Sequence, residues 1–296
     1  MSVGLRPPDP TVVSADAARA LAEDIGSGDV TADLLPDAPV DAYVVCKQER
    51  AVIAGQAWFD ACFHALDADA AIQWNVAEGA HVEQGAILCR LHGRSRALLS
   101  GERTALNFLQ SLSATATATA AFVAAVAGTR ATILDTRKTL PGLRLAQKYA
   151  VRAGGGSNHR IGLYDAMMLK ENHILAACSL ESAVQRARAQ HPGVPLIVEV
   201  ETLDELDRAL AVRPERILLD EFNASDLREA VRRSNGSIPL EVSGGVDLDG
   251  VRAIALTGVD CISIGALTKH IQAVDLSLRF GTPPARIRAD AGSSAG

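Results

Sequence analysis

The chain has 296 residues, 48% of them apolar, and a net charge of −6, enough for one large α/β domain or two smaller ones with a full core. That charge argues against a general nucleic-acid or membrane-surface binder, and the opening MSVGLRPPDP lacks the basic-then-apolar profile of a signal peptide. The five cysteines (Cys46, Cys62, Cys89, Cys178, Cys261) are odd in number and have no Cys/His ligand spacing, so they read as small buried side chains of a reducing, cytoplasmic protein.

In chain order, a helix is expected from Ala17 to Ala22, running into the turn-rich EDIGSGDVT. Residues 42–55 read as two short strands and Trp58 to Ala65 as a helix. NVAEGAHVEQGAILCRLHG then reads as strand–turn–strand, similar in shape to the hairpin of lipoyl and biotinyl carrier domains. Such carriers need a lysine at the turn, yet no Lys occurs between Lys47 and Lys138. GERTALN is expected to open a long helix, with Arg103 and Asn107 on one face. Residues 104–129 are uncharged but mostly Ala, Thr and Ser. That composition suits a closely packed soluble helix better than a membrane span.

From residue 131 the pattern changes to strict alternation. Apolar runs at 131–135, 166–170, 195–201, 216–221, 238–243 and 261–265 alternate with amphipathic helical stretches, the mark of parallel βαβ units. The expected fold is α/β: a barrel or near-barrel of six or seven parallel strands related to the TIM architecture. Because the carboxyl ends of barrel strands share one mouth, the polar residues found there define a pocket.

Its contents fall into three chemical groups. Residues 135–173 hold seven Lys or Arg, two His and only three acids. Arg144, Lys148 and Arg152 in that stretch recur at helical spacing and read as a solvated face. Arg137, Lys138, His159, Arg160 and Lys170 instead sit at strand ends, the first two just after Thr136, or after the glycine run 154–156, where unpaired cations are costly. They call for a polyanionic ligand. Glu199 or Glu201, together with Asp220, supply carboxylates for ribose hydroxyls or a magnesium ion that carries phosphate oxygens. Ser243-Gly244-Gly245 and Ile264-Gly265-Ala266 offer backbone N–H groups to a phosphate.

The blocks EDIGSGDVT, GERTALNFLQ, DTRKTLPGLR, KYAVRAGGGSNHRIGLYDAMMLKENHI, EVE, LLDEF, EVSGG and SIGALTKH, in that order, resemble the quinolinate phosphoribosyltransferase family. The resemblance implies an N-terminal α/β sandwich over 1–113, completed by about 271–296, and an open TIM-like α/β barrel domain over 114–270. It implies conversion of quinolinate and 5-phosphoribosyl 1-pyrophosphate to nicotinate mononucleotide, pyrophosphate and CO2 in NAD biosynthesis, with Mg2+ held mainly through the pyrophosphate. It implies a homodimer with shared sites and leaves open whether dimers assemble further. Arg103 would reach the neighbour's site and join Thr136, Arg137, Lys138, His159, Arg160 and Lys170 in binding the substrates. Lys138, Glu199 and Asp220 would be catalytic, the two carboxylates facing the ribose. Ser243 to Gly245 and Ile264 to Ala266 would hold the 5′-phosphate. His173 and His270 match family positions near the mouth or are structural. The alternatives are a phosphoribosyltransferase for nicotinate or another acid, or a non-catalytic ligand-binding protein.

Overall fold

The computed structural model describes residues 5–283, and these form two compact units. The first comprises residues up to Ala118, the segment Pro141–Gly155 and the chain from Ile271 on. The second comprises Thr119–Leu140 and Gly156–His270. Part of the expected C-terminal return, 284–296, lies outside the described residues.

The first unit begins with α1 (Pro10–Ile25), which is longer than the expected helix at Ala17–Ala22. The missed start is an N-cap: the Asp9 carboxylate accepts from the Thr11 N–H at 2.9 Å, and Pro10 occupies the first turn. A four-stranded antiparallel sheet follows, built from β1 (Pro39–Cys46), β3 (Ala71–Trp74), β5 (Ile87–Arg94) and β12 (Leu276–Phe280) in the order β12-β1-β5-β3. A separate ribbon pairs β2 (Arg50–Val52) with β4 (His81–Glu83). The carrier-like hairpin is therefore not formed, because β4 pairs with β2 while β5 pairs with β1 and β3.

Helix α2 (Gln56–Leu66) buries Trp58, Phe59, Cys62 and Phe63, a single stripe at helical spacing. Helix α3 (Ser95–Ala125) begins before GERTALN rather than at it. Gly101 lies inside α3 because a Cβ there would come within 3.1 Å of the Phe63 ring. The small hydroxyl residues of α3 fix the neighbouring loop. Ser113 Oγ accepts from the Ala54 N–H at 3.0 Å, and Thr117 Oγ1 accepts from the Val52 N–H at 2.8 Å. This helix is long and apolar enough to cross a membrane by length and composition, and half of its most apolar window is buried in the protein. Helix α4 (Arg144–Ala153) also belongs to the first unit, and Lys148 on it is buried at 2% exposure rather than solvated. The burial pattern explains the misreading: the six consecutive residues 146–151 around Lys148 are buried, so the helix has no solvent face at that point.

The second unit is a six-stranded parallel sheet in the order β6-β11-β10-β9-β8-β7. Its strands are β6 (Thr132–Leu134), β7 (Met167–Leu169), β8 (Leu196–Val200), β9 (Arg216–Asp220), β10 (Leu240–Ser243) and β11 (Cys261–Ser263). Between them run α5 (Glu171–Ala176), α6 (Leu180–Gln190), α7 (Leu203–Val212), α8 (Ala224–Ser234) and α9 (Val251–Ala255), and α10 (Ala266–Lys269) follows β11. Strand cores such as Val198, Ile217, Leu219 and Ile262 are fully buried, as parallel strands covered on both faces require. The edge strands β6 and β7 are not paired with each other, so the barrel is open there. Ser157 bridges in parallel to Leu134 and lies beside β6 at that opening.

Candidate active site

The C-terminal ends of all six strands of the second unit contribute to one cleft of about 290 Å³. Thr136, Arg137 and Lys138 enter it after β6 and Lys170 after β7. Glu199 enters from β8, Asp220 from β9, Ser243 from β10 and Ser263 from β11. Short strands that end together at the sheet's carboxyl edge bring these distant residues to one place.

The cationic side is held by neighbours rather than left to the flexibility of long side chains. Thr136 Oγ1 accepts from the Lys138 N–H at 3.0 Å, and the buried Thr268 hydroxyl donates to the Lys138 carbonyl at 2.7 Å. The aliphatic stem of Lys138 lies across Gly265, where a Cβ would sit 2.9 Å from Lys138 Cδ. Asp135, fully buried, accepts from Asn158 Nδ2 at 2.6 Å and from the His159 N–H at 2.8 Å. That pair fixes the loop after the glycine run. Arg160 Nη1 donates to the Ala166 carbonyl at 3.0 Å. Burial lowers the Arg160 guanidinium from its ordinary value, and the positive charge of Arg137 lowers it further, opposed by Asp165 and Glu199. Two guanidiniums that repel across a cleft are stabilised by an anion placed between them.

His159 is held on two sides within the protein. It lines the cleft, but its Nδ1 accepts from the Arg160 N–H at 2.7 Å and its Nε2 lies 3.3 Å from Glu241. Both ring nitrogens are thus engaged within the protein. Lys170 is half-exposed and pairs with Glu199 at 2.7 Å. His173 accepts from the Lys170 N–H at 3.2 Å and forms part of the cap of α5, a structural duty. His270 is exposed at the end of α10.

Of the two candidate glutamates, Glu199 faces this cleft. The alternation of a strand does not carry Glu201 onto the same face, because β8 ends at Val200. Glu201 lies in the following turn, where its N–H donates to Glu205 at 2.8 Å. Partial dehydration, then the charges of Glu171, Glu205, Asp220 and Glu199, raise the Glu201 carboxyl. A larger cleft of about 550 Å³ adjoins across Glu199, lined by Ile174, Leu175, Val198, Glu201 and Arg208 among others. It lacks the cation cluster, so the chemistry belongs to the smaller cleft.

The glycine turns sit beside the carboxylates. Gly244 holds φ +102°, and a Cβ there would come within 3.0 Å of Glu221 Cγ and 3.4 Å of an Asp220 oxygen. Gly245 holds φ +56° and opens onto free space. Only glycine adopts both angles without strain. Ile264 is buried, so only its backbone can serve a ligand, whereas Gly265 and Ala266 are partly exposed.

Arg103 is exposed on α3 in the first unit and is not among the residues that line the cleft. The sequence reading gave no role to Glu241, which is fully buried and paired with both His159 and Arg216. A signal was present. Ser243 points to the mouth, and two residues earlier on a strand lies the same face.

Among the described residues no group of three or more His, Cys, Asp or Glu is suited to hold a metal ion. Glu199 and Asp220 are hard oxygen donors and fit an ion that takes most of its ligands from substrate oxygens and water.

Comparison with known proteins assigns the lineage. The profile of the quinolinate phosphoribosyl transferase C-terminal domain matches residues 115–279, and that of the N-terminal domain matches residues 29–113. The chain is 42% identical over 270 residues to nicotinate-nucleotide pyrophosphorylase [carboxylating] of Mycobacterium leprae (strain TN), covering 88% of this chain and 94% of that one. It is 40% identical over 258 residues to a probable enzyme of the same name in Bacillus subtilis (strain 168), covering 86% and 89%. The solved nicotinate-nucleotide pyrophosphorylase of Francisella tularensis superposes with a TM-score of 0.91 at 42% identity, over 95% of this chain and all of that one. Human nicotinic acid phosphoribosyltransferase, 13% identical with a TM-score of 0.58, shares the fold. The chain belongs to the quinolinate phosphoribosyl transferase family.

Proposed function

We propose that the protein joins quinolinate to 5-phosphoribosyl 1-pyrophosphate, releasing pyrophosphate and CO2 and leaving nicotinate mononucleotide. The observation that carries this reading is the cleft itself, where Arg137, Lys138, Arg160 and Lys170 face Glu199 and Asp220. A pyridine diacid beside a diphosphate needs that density of fixed positive charge, since each charge-assisted bond contributes roughly 1.5–3 kcal/mol.

The chemistry follows from where charge develops. Departure of pyrophosphate from C1 of the ribose gives that carbon oxocarbenium character, which the carboxylates of Glu199 and Asp220 favour. Lys138 is held across Gly265 and supports the negative charge of the leaving group. The pyridine nitrogen forms the new bond to C1 as the C1–O bond to pyrophosphate breaks. The pyridinium nitrogen then stabilises the electron pair left on the adjacent ring carbon when its carboxylate departs as CO2, and that carbon takes up a proton. Arg137, Arg160 and Lys170 orient the diacid through its carboxylates. The backbone N–H groups of Gly244, Gly245, Gly265 and Ala266 suit the 5′-phosphate.

Magnesium would be held by Asp220 and Glu199 and would supply charge neutralisation to the diphosphate. A homodimer in which Arg103 of one subunit serves the site of the other rests on the family resemblance and on the exposure of Arg103. A cytosolic location fits the burial of α3 within the protein.

The deciding assay mixes the purified protein with quinolinate and 5-phosphoribosyl 1-pyrophosphate, with and without magnesium. Pyrophosphate and CO2 released in equal amounts, only with the metal, are expected. Turnover of nicotinate without CO2 would replace this reading with that of a monoacid enzyme.

A further inference from the structure

Glu241 lies inside the second unit on β10 with none of its surface exposed. A carboxylate at that depth survives only with a close cation or hydrogen-bond donors, and one of its oxygens meets both an arginine and a histidine ring. Arg216 Nη1 approaches at 2.9 Å from the first residue of β9, the end of the strand away from the cleft. His159 Nε2 approaches at 3.3 Å from the cleft side. Burial alone would raise the Glu241 carboxyl, but His159, Arg216 and Ser263 together hold it below its ordinary value. Arg216 also lines a second cleft of about 320 Å³, and His159 and Arg160 line both clefts. A line of polar contacts thus runs from Arg216 through Glu241 to His159 and ends on the loop that carries a substrate-facing arginine.

The end of that line has a defined hydrogen-bond sense. His159 Nδ1 accepts from the Arg160 N–H at 2.7 Å, so the ring hydrogen sits on Nε2, directed at Glu241. Without an ionised acceptor behind Nε2 the ring keeps only the Arg160 N–H to select that tautomer, and its orientation is no longer fixed from the second side. Arg160 would then lose the fixed acceptor for its backbone N–H.

We propose that Glu241 is a positioning residue for diacid recognition: it holds His159 as the Nε2–H tautomer, and His159 holds the backbone that keeps the Arg160 guanidinium in the cleft. The choice of a diacid rests on the function proposed above; the hold of Glu241 on His159 does not. Glu241 itself meets no substrate.

The test compares wild type, Glu241→Gln, His159→Gln and the double variant by steady-state kinetics. In parallel, nitrogen NMR of ring-labelled histidine is recorded on the free protein. Glu241→Gln should raise the KM for quinolinate about 10- to 100-fold, the range of one lost charge-assisted hydrogen bond. The KM for 5-phosphoribosyl 1-pyrophosphate should stay unchanged, and the His159 nitrogens should leave the Nε2–H pattern. The double variant should lose no more than His159→Gln alone, because the two residues act in series. Equal rises in both KM values, additive losses, or an unmoved His159 signal would each overturn the proposal. Should Glu241→Gln not fold, Glu241→Asp keeps the charge, withdraws its reach and carries the same expectations. If the wild type itself does not turn over quinolinate, the functional reading fails, and the NMR comparison still decides what Glu241 does.

Discussion

Arg160 shows how a single side chain is tuned by its surroundings. One guanidinium nitrogen is bound to the Ala166 carbonyl, and the neighbouring Arg137 repels it. The planar fork is therefore aimed before a ligand arrives, which a lysine cannot reproduce. Arg160→Lys should raise the KM for quinolinate about 10- to 100-fold while thermal stability stays near that of wild type, since at most one or two charge-assisted bonds are lost. Parallel kinetics and calorimetric melting decide this, and an unchanged KM would remove Arg160 from the substrate. At this scale the sequence was informative wherever a residue stands at a strand end. Lys138, Lys170, Glu199 and Asp220 were all readable from the apolar run that precedes them, and the cleft gathers all four. It was less informative where a side chain's partner comes from another strand. Glu241 lies level with Leu218 on β9 and Cys261 on β11, and its bond to His159 spans more than eighty residues of chain. Nothing local in LEVS announces that partner.

At the scale of elements, composition pointed to the architecture through spacing, and failed where packing overrode it. Strands β6 to β11 coincide with the apolar runs because a parallel strand covered on both faces has to be apolar throughout. Helix α4 was misread because Lys148 resembles a surface residue in sequence, and only the packed structure shows it buried. Helix α3 is the reverse case: its Ala, Ser and Thr content suggested close packing, and its hydroxyls do bind the loop that follows β2. Ser113→Ala would strand the buried Ala54 N–H. It should therefore lower stability by about 1–3 kcal/mol, the cost of an unsatisfied buried donor. Chemical denaturation would register this as a lower midpoint at constant slope. A loss well below that range would mean the amide finds another acceptor.

For the whole molecule, acid stability and assembly follow from the same charges. Glu241 is held below its ordinary value, so its contribution to stability is complete above the unfolded carboxylate range and is lost as pH falls through the depressed folded value. Glu78 has the opposite sign. Chiefly burial raises it, so it costs stability once ionised, and acidification removes that cost. Glu241→Gln isolates the first effect: its deficit relative to wild type should shrink as pH falls, as read from denaturation midpoints across an acid series. A deficit that does not change with pH would show that the charge of Glu241 is not what stabilises. Assembly makes a separate prediction. Arg103→Ala should abolish turnover without unfolding the chain, and so should Lys138→Ala. If the sites are shared within a homodimer, as proposed above, hybrids of the two variants should recover activity, since one site of each hybrid then has both residues. Verified hybrids that stay inactive would mean that sites are not shared.

The open edge of the barrel has a consequence for motion. The edge strands β6 and β7, each paired with a strand on one side only, flank the loop that carries His159 and Arg160, while Glu199 and Asp220 stand on β8 and β9, which are paired on both sides. Breathing of the backbone should concentrate where the ladder is interrupted, giving a compliant anion-gripping wall opposite a stiff one that fixes the sugar. Amide hydrogen exchange should accordingly be faster across residues 157–169 than across β9 and β10, and quinolinate should slow the first region far more than the second. Adaptability on one side and rigidity on the other would let a single mouth accept a flat ring and then clamp it against an immobile sugar.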